Sequence, residues 1–309
     1  MIVTVTPNPS IDRTLHIPRL ARGEVTRVTE ATAEAGGKGV NVARDLALHG
    51  LATIAVVPLS AASAVEFEGL LAGAATVEVV PVEGPVRVNI SLVEPDGTVT
   101  KVNEPGPVLA ESEVAALVDR VAGLTEGADW VAGCGSLPRG VPVDLYARLA
   151  DRLGRGTAVA VDADGPALRA AAHAGVGLLK PNRAELEGLV ERTLPVLGDV
   201  IEAAQAVLGW GIGAVLVSLG ADGAVYVAPG GATHAEAHID DAVNSVGAGD
   251  ALLAGFLAGG GTRAGLRTAV AWSVAACRSP GTGMRPVEQR DLDAVEVHDV
   301  ARPDRLLAA

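Results

Sequence analysis

Two spacings of apolar residues alternate along this chain. Short runs that are almost wholly apolar occur at Ile2–Thr6, Thr53–Val57, Trp130–Gly133, Ala158–Asp162, Gly177–Lys180 and Ala214–Ser218. Between them lie longer stretches with apolar residues three and four apart: Lys38–His49, Glu111–Leu124, Val143–Leu153, Ala167–Ala174, Ala184–Val190 and Val200–Leu208. The first pattern predicts buried strands and the second amphipathic helices. Their alternation predicts an α/β fold with a mostly parallel sheet covered on both faces. Two segments break the rhythm. Val86–Val93 and Val99–Val102 flank Glu94-Pro95-Asp96-Gly97-Thr98, a hairpin signal. With the extended stretch Ile11–Glu34, this hairpin predicts a small β-sheet lobe or lid, roughly 11–34 and 86–103, on one domain spanning 1–309.

In such sheets ligands sit outside the carboxyl ends of the strands. The chemically interesting residues fall there: Asn8-Pro9-Ser10-Ile11-Asp12, Gly135-Ser136, Asp162, Lys180-Pro181-Asn182 and Ser218-Leu219-Gly220-Ala221-Asp222-Gly223. Two glycine-rich turns open helices, Gly36-Gly37-Lys38-Gly39-Val40-Asn41 and Asn244-Ser245-Val246-Gly247-Ala248-Gly249-Asp250. Helix N-termini with unpaired N–H groups favour anions such as phosphate. Lys38 adds full charge to the first turn, and Asp250 places a carboxylate at the mouth of the second. Asp162 and Glu185 fit a Mg²⁺ site that needs one or two carboxylates besides phosphate oxygens. Arg87 and Arg139 are candidate phosphate forks.

Each feature has a plainer reading. Asp250 suits an N-cap, Asp12 a turn, and Asp162 a strand-end cap. Asn182 and Glu185 have capping-box spacing, Ser218–Gly223 suits a hairpin turn, and single arginines are usually solvated.

Charge narrows the partners. The net charge of −13 and aromatic content of 2% exclude a nucleic-acid surface with stacking platforms. Lys38, Lys101 and Lys180 are the three lysines among 24 basic residues, so two of the three fall within these motifs. Cys134 and Cys277 have no metal-site or disulfide-framework spacing. No apolar run reaches the roughly 18 residues that would suggest a membrane span, and no signal peptide is legible, so a cytoplasmic protein is expected.

In this order the motifs resemble the ribokinase-like (pfkB) family of carbohydrate kinases, over about residues 4 to 283. They read N-P-x-x-D, G-G-K-G-x-N-x-A, Arg-x-Asn, D-G-x-x-T-x-x-N-E-P-G, G-S-L-P-x-G, K-P-N-x-x-E, S-L-G-x-x-G and S-V-G-A-G-D. Departures occur at Pro58–Glu66, where a glycine-rich stretch is usual, at Pro85, and at Arg278–Gly283, which matches in part.

The resemblance implies a three-layer α/β/α fold with a β lid, and an ATP- and Mg²⁺-dependent kinase. Asp250 matches the catalytic base, and Gly247, Ala248 and Gly249 the anion hole. Asp12, Gly37, Lys38, Asn41 and Ser136 match the sugar site, with Lys38, Arg87 and Arg139 on an existing phosphate. Lys180, Asn182, Gly249 and the loop Ser218, Leu219, Gly220, Ala221, Asp222 and Gly223 match the nucleotide positions, and Asp162 and Glu185 the metal. The implied reaction is phosphorylation of fructose 1-phosphate on its 6-hydroxyl. Tagatose 6-phosphate and fructose 6-phosphate are the alternatives. The lid strands imply a homodimer. Rival readings are a kinase for an unphosphorylated sugar or nucleoside, a non-catalytic sugar-phosphate sensor, and a nicotinamide-binding dehydrogenase. The dehydrogenase lacks its G-x-G-x-x-G after the first strand.

Overall fold

The structure is a computed structural model that describes residues 1–154, 156–279, 281, 283–299 and 303–308. The chain opens with β1 (Ile2–Val5), β2 (Ser10–His16), β3 (Glu30–Gly36), α1 (Lys38–Leu48), β4 (Thr53–Leu59), α2 (Ala61–Leu71), β5 (Thr76–Pro81), β6 (Arg87–Val93) and β7 (Val99–Asn103). It continues with α3 (Glu111–Gly123), β8 (Trp130–Cys134), α4 (Leu145–Leu153), β9 (Ala158–Asp162), α5 (Gly165–His173), β10 (Leu178–Leu179), α6 (Arg183–Val190), α7 (Leu197–Leu208) and β11 (Val215–Ser218). It closes with β12 (Ala224–Ala228), β13 (Gly231–Glu236), α8 (Ala248–Ala258), α9 (Leu266–Cys277), α10 (Gln289–Asp293) and β14 (Glu296–Asp299).

Among the described residues the large sheet has ten strands, ordered β14-β13-β12-β11-β10-β9-β8-β1-β4-β5. From β5 to β11 every pairing is parallel. The β11, β12, β13 and β14 end is antiparallel. Successive residues of one strand feed opposite cores, as a pleated sheet buried on both faces requires. In β11, Val215 and Val217 join the core around α5 and α7, while Leu216 joins the core around α8 and α9. In β9, Val159 and Val161 take the first side and Ala160 the second. This is the α/β/α layering of a ribokinase-like fold.

The remaining strands form a separate four-stranded sheet, β3-β2-β6-β7, from the two segments that break the strand–helix rhythm. It is mixed: β2 and β6 run parallel, and both outer pairs antiparallel.

Several elements lie outside the sequence expectation. Residues 58–66, the glycine-poor departure, run from the end of β4 into α2, whose N-cap Ser60 accepts from Ser63 N. Ser63 Oγ in turn accepts from Val86 N at 3.0 Å, anchoring the entry to the small sheet. β14 pairs with β13 although it carries Glu296, His298 and Asp299, because an edge strand needs only one partner and can stay polar. α9 packs closely on α8 through Gly255, where a Cβ would lie 2.8 Å from Trp272 Cγ and 3.0 Å from Ala269 Cα.

The chain order reverses at β1, which has β4 on one side and β8 on the other. Ligand crevices in open α/β sheets open at such a switch point. The loops after β1 and β8 therefore face a common space, and α1 and α8 both begin on its rim.

Candidate active site

Two helix starts that look alike in sequence differ in what their third residue does. Gly247, with φ +79°, is the N-cap of α8, so Asp250 is the third helical residue rather than the cap. This sets aside the N-cap reading. In α6, Asn182 is the cap and Glu185 the third residue, and they form a reciprocal capping box: Asn182 Oδ1 accepts from Glu185 N at 2.8 Å, and Glu185 Oε2 from Asn182 N at 2.7 Å. Asp250 turns instead to α1, where Asn41 Nδ2 donates to its Oδ2 at 2.8 Å. The carboxyl is 7% exposed. Burial and, after it, the charge of Asp162 push its pKa up to about 6, against the Asn41 hydrogen bond and the two lysines.

Asp162, at the end of β9, is 1% exposed and lies between two ammonium groups. Lys38 Nζ donates to Oδ1 at 2.8 Å, and Lys180 Nζ lies 2.9 Å from Oδ2. The second contact is an ion pair without hydrogen-bond geometry, since Oδ2 has no directed donor. Burial works against the charge on Lys38, but Asp162 more than compensates and its pKa rises. Asp162 itself is penalised by burial, yet the lysines hold it below the ordinary carboxylate range. Lys180 Nζ is also 3.7 Å from the point where Gly249 would carry a Cβ, so it sits beneath the first turn of α8. The helix N-terminus and two lysines thus converge beside the buried Asp250.

Asp162, assigned to a metal from sequence, is here the counterion of both lysines: Oδ1 accepts from Lys38 and Oδ2 lies at ion-pair distance from Lys180. Glu185 uses Oε2 for the cap, and among the described residues Oε1 makes no hydrogen bond, while burial raises its pKa. One carboxylate oxygen beside phosphate is donor chemistry that suits a Mg²⁺ ligand.

On the opposite rim, Asp12 Oδ1 accepts from Ser10 Oγ at 2.7 Å and from Asn89 Nδ2 at 2.8 Å. Its carboxylate occupies the space a side chain at Gly36 would fill. Gly37, φ +123°, and Gly39 lie against Thr6, where a Cβ would come within 2.6 and 2.5 Å. Their lack of side chains therefore serves the contact of α1 with the end of β1, and Gly37 can offer a ligand only its backbone. Arg87 opens β6 half-buried, with Nε donating to Asn8 O at 3.2 Å. Burial lowers its pKa and Asp12 partly restores it. Asn8 reaches Ser136 Oγ and Pro105 O, which gathers the loops after β1, β7 and β8. Tyr146 sets the last of these: its ring fills the face of Gly133, and its hydroxyl donates to Gly135 O at 2.8 Å.

Two sequence-assigned side chains stay outside this arrangement. Arg139 is exposed and, among the described residues, its guanidinium has no hydrogen bond or ion pair, so nothing holds the fork. Asp222 is turned inward: Oδ1 accepts from Arg305 and Oδ2 from Ala308 N, so its side chain anchors the C-terminal segment. The rest of its loop closes tightly. Leu219 N donates to Gly223 O at 2.8 Å, and Gly220–Asp222 form a 3-10 turn between β11 and β12. Ser218 bridges to Asn182, joining this loop to the start of α6. Asn244 ties the loop before α8 to Ser279 and Gly281. Pro280 and Thr282, within the partial match at 278–283, lie outside the described residues.

Sequence reading missed Asn8, Ser10, Asn89 and Tyr146. Asn8, Ser10 and Asn89 stand inside quoted motifs but carry no charge to draw attention. Tyr146 lies in a helix with no motif at all.

Residues 6–284 match the profile of the pfkB family carbohydrate kinases. The chain belongs to the pfkB family. It is 39% identical to the 1-phosphofructokinase of Rhodobacter capsulatus over 262 residues, 83% of this chain and 82% of that protein. It is 36% identical to the 1-phosphofructokinase of Escherichia coli over 261 residues, 84% and 83% of the two chains. Among solved structures, phosphofructokinase-2 from Escherichia coli in complex with potassium superposes with a TM-score of 0.86 at 31% identity, covering 94% of this chain and 96% of the other. For a pfkB kinase, a buried carboxylate beside converging cations and a helix N-terminus is the arrangement phosphoryl transfer to a hydroxyl calls for.

Proposed function

We propose that this pfkB kinase transfers the γ-phosphoryl group of ATP to the 6-hydroxyl of fructose 1-phosphate, giving fructose 1,6-bisphosphate and ADP. The observation that carries the reading is Asp250. It is buried at the start of α8 with a pKa of about 6, beside Lys38 and Lys180, which share the counterion Asp162. A base with that pKa is mostly ionised at neutral pH and can still accept a proton as the hydroxyl attacks. The sugar oxygen forms its bond to phosphorus, its proton passes to Asp250, and the bond to the β–γ bridging oxygen breaks with ADP as leaving group. Backbone N–H groups of Gly247, Ala248 and Gly249, with Lys180, would stabilise charge on the transferring group. Glu185 Oε1 would hold Mg²⁺, which neutralises phosphate charge when bound.

At the other end, Asp12, held by Ser10 and Asn89, is placed to accept from sugar hydroxyls, and Asn41 lies between the sugar and the base. Lys38 and Arg87 would engage the existing phosphate. Arg87, half-buried and bonded to the neutral carbonyl of Asn8, would gain no anion from a neutral sugar, which disfavours that rival. A sensor would have no use for a buried base. Similarity to 1-phosphofructokinases favours fructose 1-phosphate, whereas similarity in structure to phosphofructokinase-2 favours a 6-phosphate as the second reading.

The four-stranded sheet serves as a lid, and its open edges β3 and β7 are the surface through which two chains would pair. Light scattering showing a monomer would remove this dimer. No described helix is long and apolar enough to cross a membrane.

The deciding experiment compares kcat/KM with ATP and Mg²⁺ on fructose 1-phosphate, fructose 6-phosphate, tagatose 6-phosphate, fructose and ribose. Preference for fructose 1-phosphate supports the proposal. Preference for a 6-phosphate keeps the mechanism and changes the substrate, and turnover of neutral sugars alone defeats the phosphate site.

A further inference from the structure

The antiparallel edge of the large sheet gathers a set of side chains that phosphoryl transfer does not use. The register of β13 and β14 places His234 opposite His298 and Glu236 opposite Glu296. Directly opposed residues, and residues two apart, share one face of a sheet. All four side chains therefore project from the same face. One ligand atom from each of His234, Glu236 and His298 lies within 4.8 Å of the other two.

We propose that His234, Glu236 and His298 form a binding site for a transition-metal dication of the Zn²⁺ type. Three features of the geometry support it. First, His298 Nε2 lies 3.3 Å from Glu236 Oε1. Zinc binds imidazole nitrogen and carboxylate oxygen at about 2.0–2.1 Å, so two ligands on a tetrahedral centre stand about 3.3–3.4 Å apart. The pair already has the spacing of one tetrahedral edge.

Second, the ring of His234 is set by a carbonyl. Its Nε2 lies 2.7 Å from Asp222 O, and a carbonyl can only accept, so Nε2 carries the proton and Nδ1 holds the lone pair. Metal-bound histidines are oriented in this way, by donating the other ring N–H to a carbonyl or carboxylate. His234 is 2% exposed and packed in place, so little reordering is needed.

Third, the local charge calls for a cation. Asp222, Glu236 and Glu296 place three carboxylates around the two imidazoles. Arg305 offsets one, with Nη1 at 2.6 Å from Glu236 Oε2 and Nη2 at 3.0 Å from Asp222 Oδ1. A dication balances the remaining two. Arg305 also occupies the other oxygen of Glu236, which leaves Oε1 aimed at His298. Glu296 Oε2, 3.6 Å from His298 Nε2, or a water completes four-coordination. Imidazole suits zinc, copper or nickel, whereas Mg²⁺ prefers oxygen, so this site is distinct in kind from the Mg²⁺ of the reaction. Its effect would be to clamp β14 onto β13.

The test is Co²⁺ titration of the full chain after chelator treatment, in Mg²⁺, followed by visible absorption of tetrahedral Co²⁺ and by Zn²⁺ calorimetry. The expected result is one equivalent per chain. Substituting even an outer-shell partner typically lowers metal affinity about 10–100-fold, so H298A and E236Q should each weaken Zn²⁺ binding by about 100-fold or more. H238A, which alters an exposed histidine outside the cluster, should bind as wild type does. Zn²⁺ should raise the melting temperature of wild type and H238A but not of H298A. Absence of stoichiometric binding would overturn the site, and so would binding that both H298A and E236Q leave unchanged. Because His298 is 39% exposed on an edge strand, H298A leaves the core untouched, and its circular dichroism confirms that loss of binding is not loss of fold.

Discussion

Asn41 in α1 donates to Asp250 Oδ2 in α8 at 2.8 Å, joining two helices whose residues are 209 apart in sequence. The bond favours the ionised carboxylate and so opposes the rise in pKa caused by burial. N41L should move the acid limb of the kcat/KM profile upward by about one to two pH units, the equivalent of a charge-assisted hydrogen bond of roughly 1.5–3 kcal/mol. Above that limb, where Asp250 is ionised, N41L should also lower stability, because the buried carboxylate loses its one side-chain donor among the described residues. An unmoved acid limb would reduce Asn41 to a packing residue.

D250N should lower kcat by about 10²–10⁴-fold with ATP affinity near normal, the contribution expected of a general base. In the wild type, kcat/KM should fall as pH drops through about 6, where Asp250 becomes protonated. Turnover close to wild type in D250N would remove it as the base.

Asp162 is the shared counterion of Lys38 and Lys180, so its loss leaves two cations facing each other, one of them buried. Removing one member of a buried ion pair typically costs about 3–5 kcal/mol. D162N should therefore destabilise the fold by about that amount in urea, and should lower kcat as well as raising KM. An unchanged urea midpoint would contradict the counterion role.

Asp45 lies one turn beyond Asn41, 3% exposed, and burial raises its pKa to about 8 against the opposing charge of Arg44. In the unfolded chain it ionises near 3.8, so between these values the folded state binds the extra proton. Its contribution to stability therefore falls as pH rises from about 4 to 8. D45N removes that loss. Its melting temperature relative to wild type should climb across this window and level off above it, and a constant difference would refute the buried-acid account.

Arg87 is half-buried and held by Asn8, whereas Arg139 is exposed and unheld. R87A should raise KM for the sugar phosphate at least tenfold, about 1.4 kcal/mol, with ATP affected less. R139A should have the smaller effect, because an unordered side chain must lose rotamer freedom on binding. The reverse ranking, measured by initial rates, would move the phosphate site.

Local pattern determined much of this protein. Nearly unbroken apolar runs and helical spacing identify β1, β4, β8, β9, β10 and β11 and most helices between them, because a sheet buried on both faces writes such runs, whereas α2 and β5 escape the reading. The glycine turns before Lys38 and Asp250 mark helix starts, because backbone conformation and N-terminal charge are local properties. Tertiary structure decided the rest. Asn182-x-x-Glu185 closes a capping box, while Asp250, at the same helical position, reaches Asn41 in another helix. Asp162 reads in sequence as a lone carboxylate at a strand end, and only the fold brings Lys38 from the start of α1 and Lys180 from the end of β10 to pair with it. Asp222 stands in a glycine-bearing turn, and only the fold shows its carboxylate held by Arg305 and Ala308 from the far end of the chain. A carboxylate takes its role from the charges within a few ångströms of it, and those charges are distant in sequence, so only the folded chain decides between ligand, counterion and base.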